Sequence, residues 1–173
     1  MSVAFDTAAD GAPGDQPNQG GRCIVQRIEP VRLTASGGRV LIFLRGPASG
    51  VASIQRIYIS HVAGGDPYDP AGDLTRVFDV DDPPGQTPLI LQGAAETALP
   101  IVDYALEMAQ PLLIAFDLTP GFPSSVPLVP LMSPEAIVFF QDNLQEAGIP
   151  GGNRTPGYQS ANGGNADNFE YFR

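Results

Sequence analysis

Between Val51 and Asp82 the chain reads VASIQRIYISHVAGGDPYDPAGDLTRVFDVDD, two alternating runs joined by one polar loop. Ile57 and Ile59 alternate with Tyr58 and Ser60, and Thr75, Val77 and Asp79 alternate with Leu74, Arg76, Phe78 and Val80. That period of two predicts strands with one buried face. Ile54 is out of phase with Ile57, which predicts a β-bulge near Gln55 and Arg56. Ala63 to Gly72 holds three Gly, two Pro and two Asp, a composition that makes turns and lets neither a helix nor a central strand continue.

The rest of the chain repeats this style. Twenty Gly and eighteen Pro are spread along nearly all of its 173 residues, which demands many turns and argues against a helical bundle. The 43% hydrophobic content supports one globular domain with a real core. Residues 1–21, rich in Gly, Pro, Asp and Gln, read as an extended N-terminal arm; 22–147 as the domain; and 148–173 as a Gly/Asn-rich loop whose FEYF could add a closing strand.

Within the domain, Arg22 to Leu33 reads as a first strand interrupted at Pro30, which a sheet edge or a bulge would tolerate, with a turn at Ser36-Gly37-Gly38. RVLIFLR, Arg39 to Arg45, is apolar on both faces, as in a strand covered from both sides or packed on a neighbouring subunit. Short strands follow at Leu89–Leu91 and Val102–Tyr104. In PLLIAFDL, Leu112, Ile114, Phe116 and Leu118 share one face and Leu113, Ala115 and Asp117 the other. Thr119 to Pro130 is too proline-dense for regular structure. SPEAIVFFQDNLQEAG, Ser133 to Gly148, carries helix-start signals but a β-rich Ile137-Val138-Phe139-Phe140, and the reading leans to a strand over Ile137–Gln141 followed by a turn or short helix. The sum is an all-β antiparallel sandwich of about eight strands with two arms.

Several functions are disfavoured. A net charge of −10 repels nucleic acid and anionic membrane surfaces. All nine basic residues are Arg, which removes Lys from any catalytic list. Cys23 is the one cysteine, so an internal disulfide and a multi-cysteine zinc site are both excluded, and it reads as a small buried hydrophobe. No basic-then-apolar leader and no long apolar run is visible, so synthesis in a cytoplasm is expected.

The candidate chemistry is sparse. His61 follows Ser60, but strand neighbours point to opposite faces and cannot form a nucleophile–base pair, and no GxSxG elbow exists, so no catalytic residue is assigned. Asp66, Asp69 and Asp73 place hard oxygen donors on one loop and are candidate calcium ligands, against the blander reading of a solvated turn. No other cofactor is implied. Tyr58 and Tyr68 could stack on a sugar face, although scattered tyrosines are ordinary in β-proteins. Phe5, Tyr158 and Phe169 are the apolar anchors of the arms, which should order only through contacts with other subunits.

The stretches Ile57–Asp73, IYISHVAGGDPYDPAGD, and Ile101–Leu118, IVDYALEMAQPLLIAFDL, resemble a jelly-roll type β-sandwich module of phage virion proteins, also found beside SGNH (GDSL-like) hydrolase domains. The likeness spans roughly residues 39–118 and is a pattern of strands and turns. The hydrolase's GDS block and DxxH pair are absent. The resemblance implies a jelly-roll-like fold and a non-enzymatic virion protein: a capsid decoration (cement), head-fibre or tail-associated component, made in the host cytoplasm, that assembles with itself and with other virion proteins. The alternative is a carbohydrate-binding module or receptor-binding tip with a glycan partner.

Overall fold

The computed structural model describes residues 4, 14–128 and 136–160. Thirteen strands and one 3-10 turn, Pro30–Arg32, make up its regular structure. In chain order the first six strands are β1 (Gly14–Gln16), β2 (Arg22–Ile28), β3 (Gly37–Val40), β4 (Phe43–Arg45), β5 (Val51–His61) and β6 (Thr75–Asp79). Then come β7 (Leu89–Gln92), β8 (Glu96–Ala98), β9 (Val102–Leu106), β10 (Leu112–Leu118), β11 (Val126–Leu128), β12 (Ala136–Asp142) and β13 (Gln159–Ser160).

All pairings are antiparallel, and most are nested: β1 with β11, β2 with β10, β3 with β9, β4 with β8, and β5 with β7. This is one long hairpin. It rolls up because β10 also pairs β5, closing a seven-stranded sheet of order β13-β12-β2-β10-β5-β6, with β7 on the remaining length of β5. The result is an all-β, jelly-roll-like sandwich.

The main core lies between the large sheet and a ribbon formed by β3, β4, β8 and β9. The sheet contributes Ile24, Ile28, Ile57, Ile59, Leu112, Ile114, Phe116 and Val138, and the ribbon Ile42, Leu44, Leu99, Tyr104 and Leu106. Phe116 and Leu118 face this core while Leu113 and Ala115 face a second one, as the alternation in PLLIAFDL predicts. The bulge falls where expected. Asp117 pairs Arg56 and Leu118 pairs Ile54, so Gln55 is the extra residue and Ala52 and Ile54 rejoin Ile57 and Ile59 in one core.

The second core sits on the sheet's opposite face. There Cys23, Val25, Leu113, Ala115 and Phe139 are covered by the 62–74 loop, through Tyr68, and by the 143–160 segment, through Ala147 and Tyr158. Gln26, on the main-core side of β2, is fully buried, and neither end of its amide has a hydrogen-bond partner among the described residues.

Several expectations are corrected. RVLIFLR is not one doubly covered strand: it breaks at Leu41 and Ile42 into β3 and β4, and Phe43 is 48% exposed. The Ser36 turn ends earlier, because Gly37 already pairs Leu106. Pro30 marks no edge strand, since β2 ends at Ile28 and lies inside the sheet between β12 and β10. The proline-dense stretch after Thr119 still contains β11, because Val126 and Leu128 flank a Pro127 that an edge pairing with β1 accepts. Residues 14–21 belong to the domain. Asp15 accepts the N–H groups of Ala48 and Ser49 at 3.0 and 2.7 Å, and the Gln19 N–H reaches the Ser124 carbonyl at 2.8 Å. Residues 148–160 take their order from the same chain's sheet, where contacts with another subunit were expected. The lean toward a strand over Ile137–Gln141 is met by β12.

Candidate functional site

The long strand β5 ends at His61, and the loop after it returns Asp73 to the same place. Asp73 accepts the His61 backbone N–H at 3.1 Å, and its Oδ2 lies 2.6 Å from His61 Nδ1. Tyr104, reaching across from β9, donates its hydroxyl to the same Oδ2 at 2.9 Å. The Glu107 backbone N–H points at His61 Nε2 at 3.2 Å, which makes that nitrogen an acceptor and leaves the hydrogen on Nδ1 for Asp73. Both ring nitrogens are therefore engaged within the chain, and the residue is 5% exposed. Burial opposes the Asp73 charge, yet the hydrogen bonds from Tyr104 and His61 outweigh it and hold this carboxyl below its ordinary value. The cluster can pin a loop to a strand end; it offers no free base.

A second polar group crosses the large sheet as one row. Register places Gln141 beside Cys23, Cys23 beside Asp117, Asp117 beside Arg56, and Arg56 beside Asp79. Asp117 is completely buried; its Oδ1 accepts the Ala147 N–H at 3.0 Å, and its Oδ2 stands 3.5 Å from Arg56 Nη1. That separation makes an ion pair too long for a good hydrogen bond. Burial pushes the Asp117 carboxyl up to about 6, with the Ala147 N–H, Cys23 and Arg56 pulling the other way. Burial likewise raises the Cys23 thiol well above the usual range, with Asp117 adding to the effect.

The third group binds the covering segments to each other. Arg154, 3% exposed, donates to the carbonyls of Tyr68, Ala147 and Glu146, the last two at 3.0 and 3.2 Å. Asp69 accepts the Arg154 N–H at 3.3 Å. Tyr68 stacks on Tyr158 at 4.7 Å between centroids and meets Phe139 edge-on at 5.5 Å.

Asp73 is held by His61 and Tyr104 and Asp69 by Arg154, while the Asp66 backbone carbonyl accepts the Asp69 N–H and closes the turn. No group of three His, Cys, Asp or Glu side chains among the described residues converges as metal ligands would. Neither tyrosine offers an open ring. Tyr68 is 6% exposed in its stack, and Tyr58 lies under Gly148, where an added Cβ would come within 3.0 Å of the ring, while its hydroxyl donates to Asp79 at 2.7 Å. Tyr158 is buried in its own chain; Phe5 and Phe169 lie outside the described residues.

Sequence reasoning gave no role to Asp117 or Arg154. Asp117 did carry a signal, as the one charge in an otherwise apolar two-faced strand. Arg154, in a Gly/Asn-rich stretch, carried none. No protein-family model matches the chain, and a search of curated proteins finds no match.

Proposed function

We propose that the chain is a non-enzymatic structural protein that works by assembly, a phage virion component of the capsid decoration, head-fibre or tail-associated kind. The observation that carries the reading is the direction in which its side chains face. His61, Cys23, Asp117 and Arg154 are turned inward, and His61, Asp117 and Arg154 are used on partners of the same chain. Large apolar side chains such as Phe43 and Ile101 are instead held outward. That distribution suits a protein whose partners are surfaces. The strand-and-turn likeness at Ile57–Asp73 and Ile101–Leu118 points the assembly toward a virion.

The test is the mass of the full chain in solution by sedimentation and light scattering, beside a glycan array and ester and glycoside turnover assays. Concentration-dependent assembly without turnover is the expected result. A chain that stays monomeric and captures a sugar, or one that turns over an ester in a manner abolished by His61→Ala, overturns the reading.

A further inference from the structure

The β3–β4 and β8–β9 strands form one kinked ribbon, joined through the bend by the Leu99 N–H donating to the Ile42 carbonyl at 2.9 Å. Its inner face is committed to the core through Val40, Ile42, Leu44, Leu99, Val102, Tyr104 and Leu106. Strand alternation then sends the intervening side chains outward. Register sorts them into rows: Arg45 opposite Glu96, Phe43 opposite Ala98, and Arg39 opposite Asp103. Phe43 and Ile101 are 48% and 51% exposed, near the middle of the ribbon. An apolar centre bracketed at each end by charge is the anatomy of a protein interface.

The charges are also arranged with a sense. Both arginines lie on the β3–β4 side, and both acids lie on the β8–β9 side. Turning a second copy by half a turn about an axis in the plane of the ribbon, parallel to its strands, exchanges the two sides while keeping position along the strands. Arg39 of one copy then lies over Asp103 of the other, Arg45 over Glu96, and each Phe43 over the other copy's Ala98.

We propose that this outer ribbon face docks a second copy of the chain, face to face, on a two-fold axis. The inference rests on the assembly reading above and names its surface. A ribbon of this length and width offers roughly 300–400 Å² a side, below the total of about 1,000 Å² that a stable interface needs, so the dimer is weak, transient and concentration-dependent. Each copy carries a net charge of −10, so long-range repulsion works against it, and near-physiological salt is the condition to use.

The experiment exchanges charge between two full-length variants. Arg39→Glu/Arg45→Glu makes an all-acidic face, and Glu96→Arg/Asp103→Arg an all-basic one. Sedimentation velocity over about a hundredfold range of concentration should show the parent self-associating, each variant alone monomeric, and an equal mixture forming a one-to-one heterodimer. Phe43→Glu should weaken parent self-association roughly tenfold or more. Circular dichroism of each variant shows that the fold is kept, and the heterodimer is a gain that misfolding cannot imitate. A parent that assembles unaffected by Phe43→Glu, with variants that do not heterodimerise, overturns this surface and leaves the assembly reading standing. A parent monomeric throughout overturns both.

Discussion

Asp117, at the centre of the large sheet, accepts the backbone N–H of Ala147 at 3.0 Å and so ties the covering segment to the strands beneath it. The contact puts an ionisable group where water does not reach.

Asp117 should make stability depend on pH in an unusual direction. Its folded value, about 6, is above its ordinary 3.8, so the native state holds this proton more tightly than the unfolded chain does. The stabilisation is full below about 3.9 and is lost as pH rises through 6. The difference is on the order of 3 kcal/mol. Asp117→Asn keeps an oxygen for the Ala147 N–H and removes the titration. Denaturant melts at pH 5 and 7.5 should show the parent losing stability relative to the variant; equal changes in both would refute the assignment.

Asp73 works with the opposite sign. Its folded value lies below 3.8, so its stabilisation is present above about 3.9 and is lost as pH falls through the lowered value. Tyr104→Phe removes one hydrogen bond to this carboxylate. It should cost about 1–2 kcal/mol at pH 7 and progressively less as pH falls through the lowered value and the carboxyl takes up its proton.

Arg154 holds three backbone carbonyls, so Arg154→Leu should strand them and loosen the cover over Cys23. The expected cost is about 2–4 kcal/mol. A disulfide reagent that reacts at neutral pH should label Cys23 slowly in the parent and much faster in the variant. Fast labelling of the folded parent would show that the cover is open without any mutation.

Gly20 leaves no room for a side chain, because an added Cβ would overlap the Phe122 carbonyl oxygen. Gly20→Ala should therefore cost about 2 kcal/mol or more. Removing residues 1–21 should lower the melting temperature by taking β1 and the Asp15 and Gln19 contacts away. A melting temperature equal to the parent's would restore the boundary at residue 21.

What the sequence disclosed tracks how locally each feature is determined. The two faces of Leu112–Leu118 and the bulge at Gln55 follow from alternation within a few residues, and both are found. Arg39–Arg45 misled because apolarity on both sides has two causes, double cover and an outward-facing apolar row. Only the break at Leu41 and Ile42 separates them. Residues 14–21 looked like a tail because their partners, Ala48, Ser49, Ser124 and β11, are distant in sequence. His61, Asp73 and Tyr104 come from three separate segments, so their meeting could not be read from spacing.

The nested pairing also orders events in time. The pair β5 and β7 closes the shortest loop of the series, whereas Gly14 meets Leu128 only after nearly the whole domain lies between them. Loop-closure entropy and the large mean sequence separation of contacts make such a chain a slow folder, in the millisecond-to-second range. During synthesis β1 has no mate until Leu128 has left the ribosome, and β2 waits for β10. The first strands to be made thus travel longest with their edges open, and any folding helper should act on that interval.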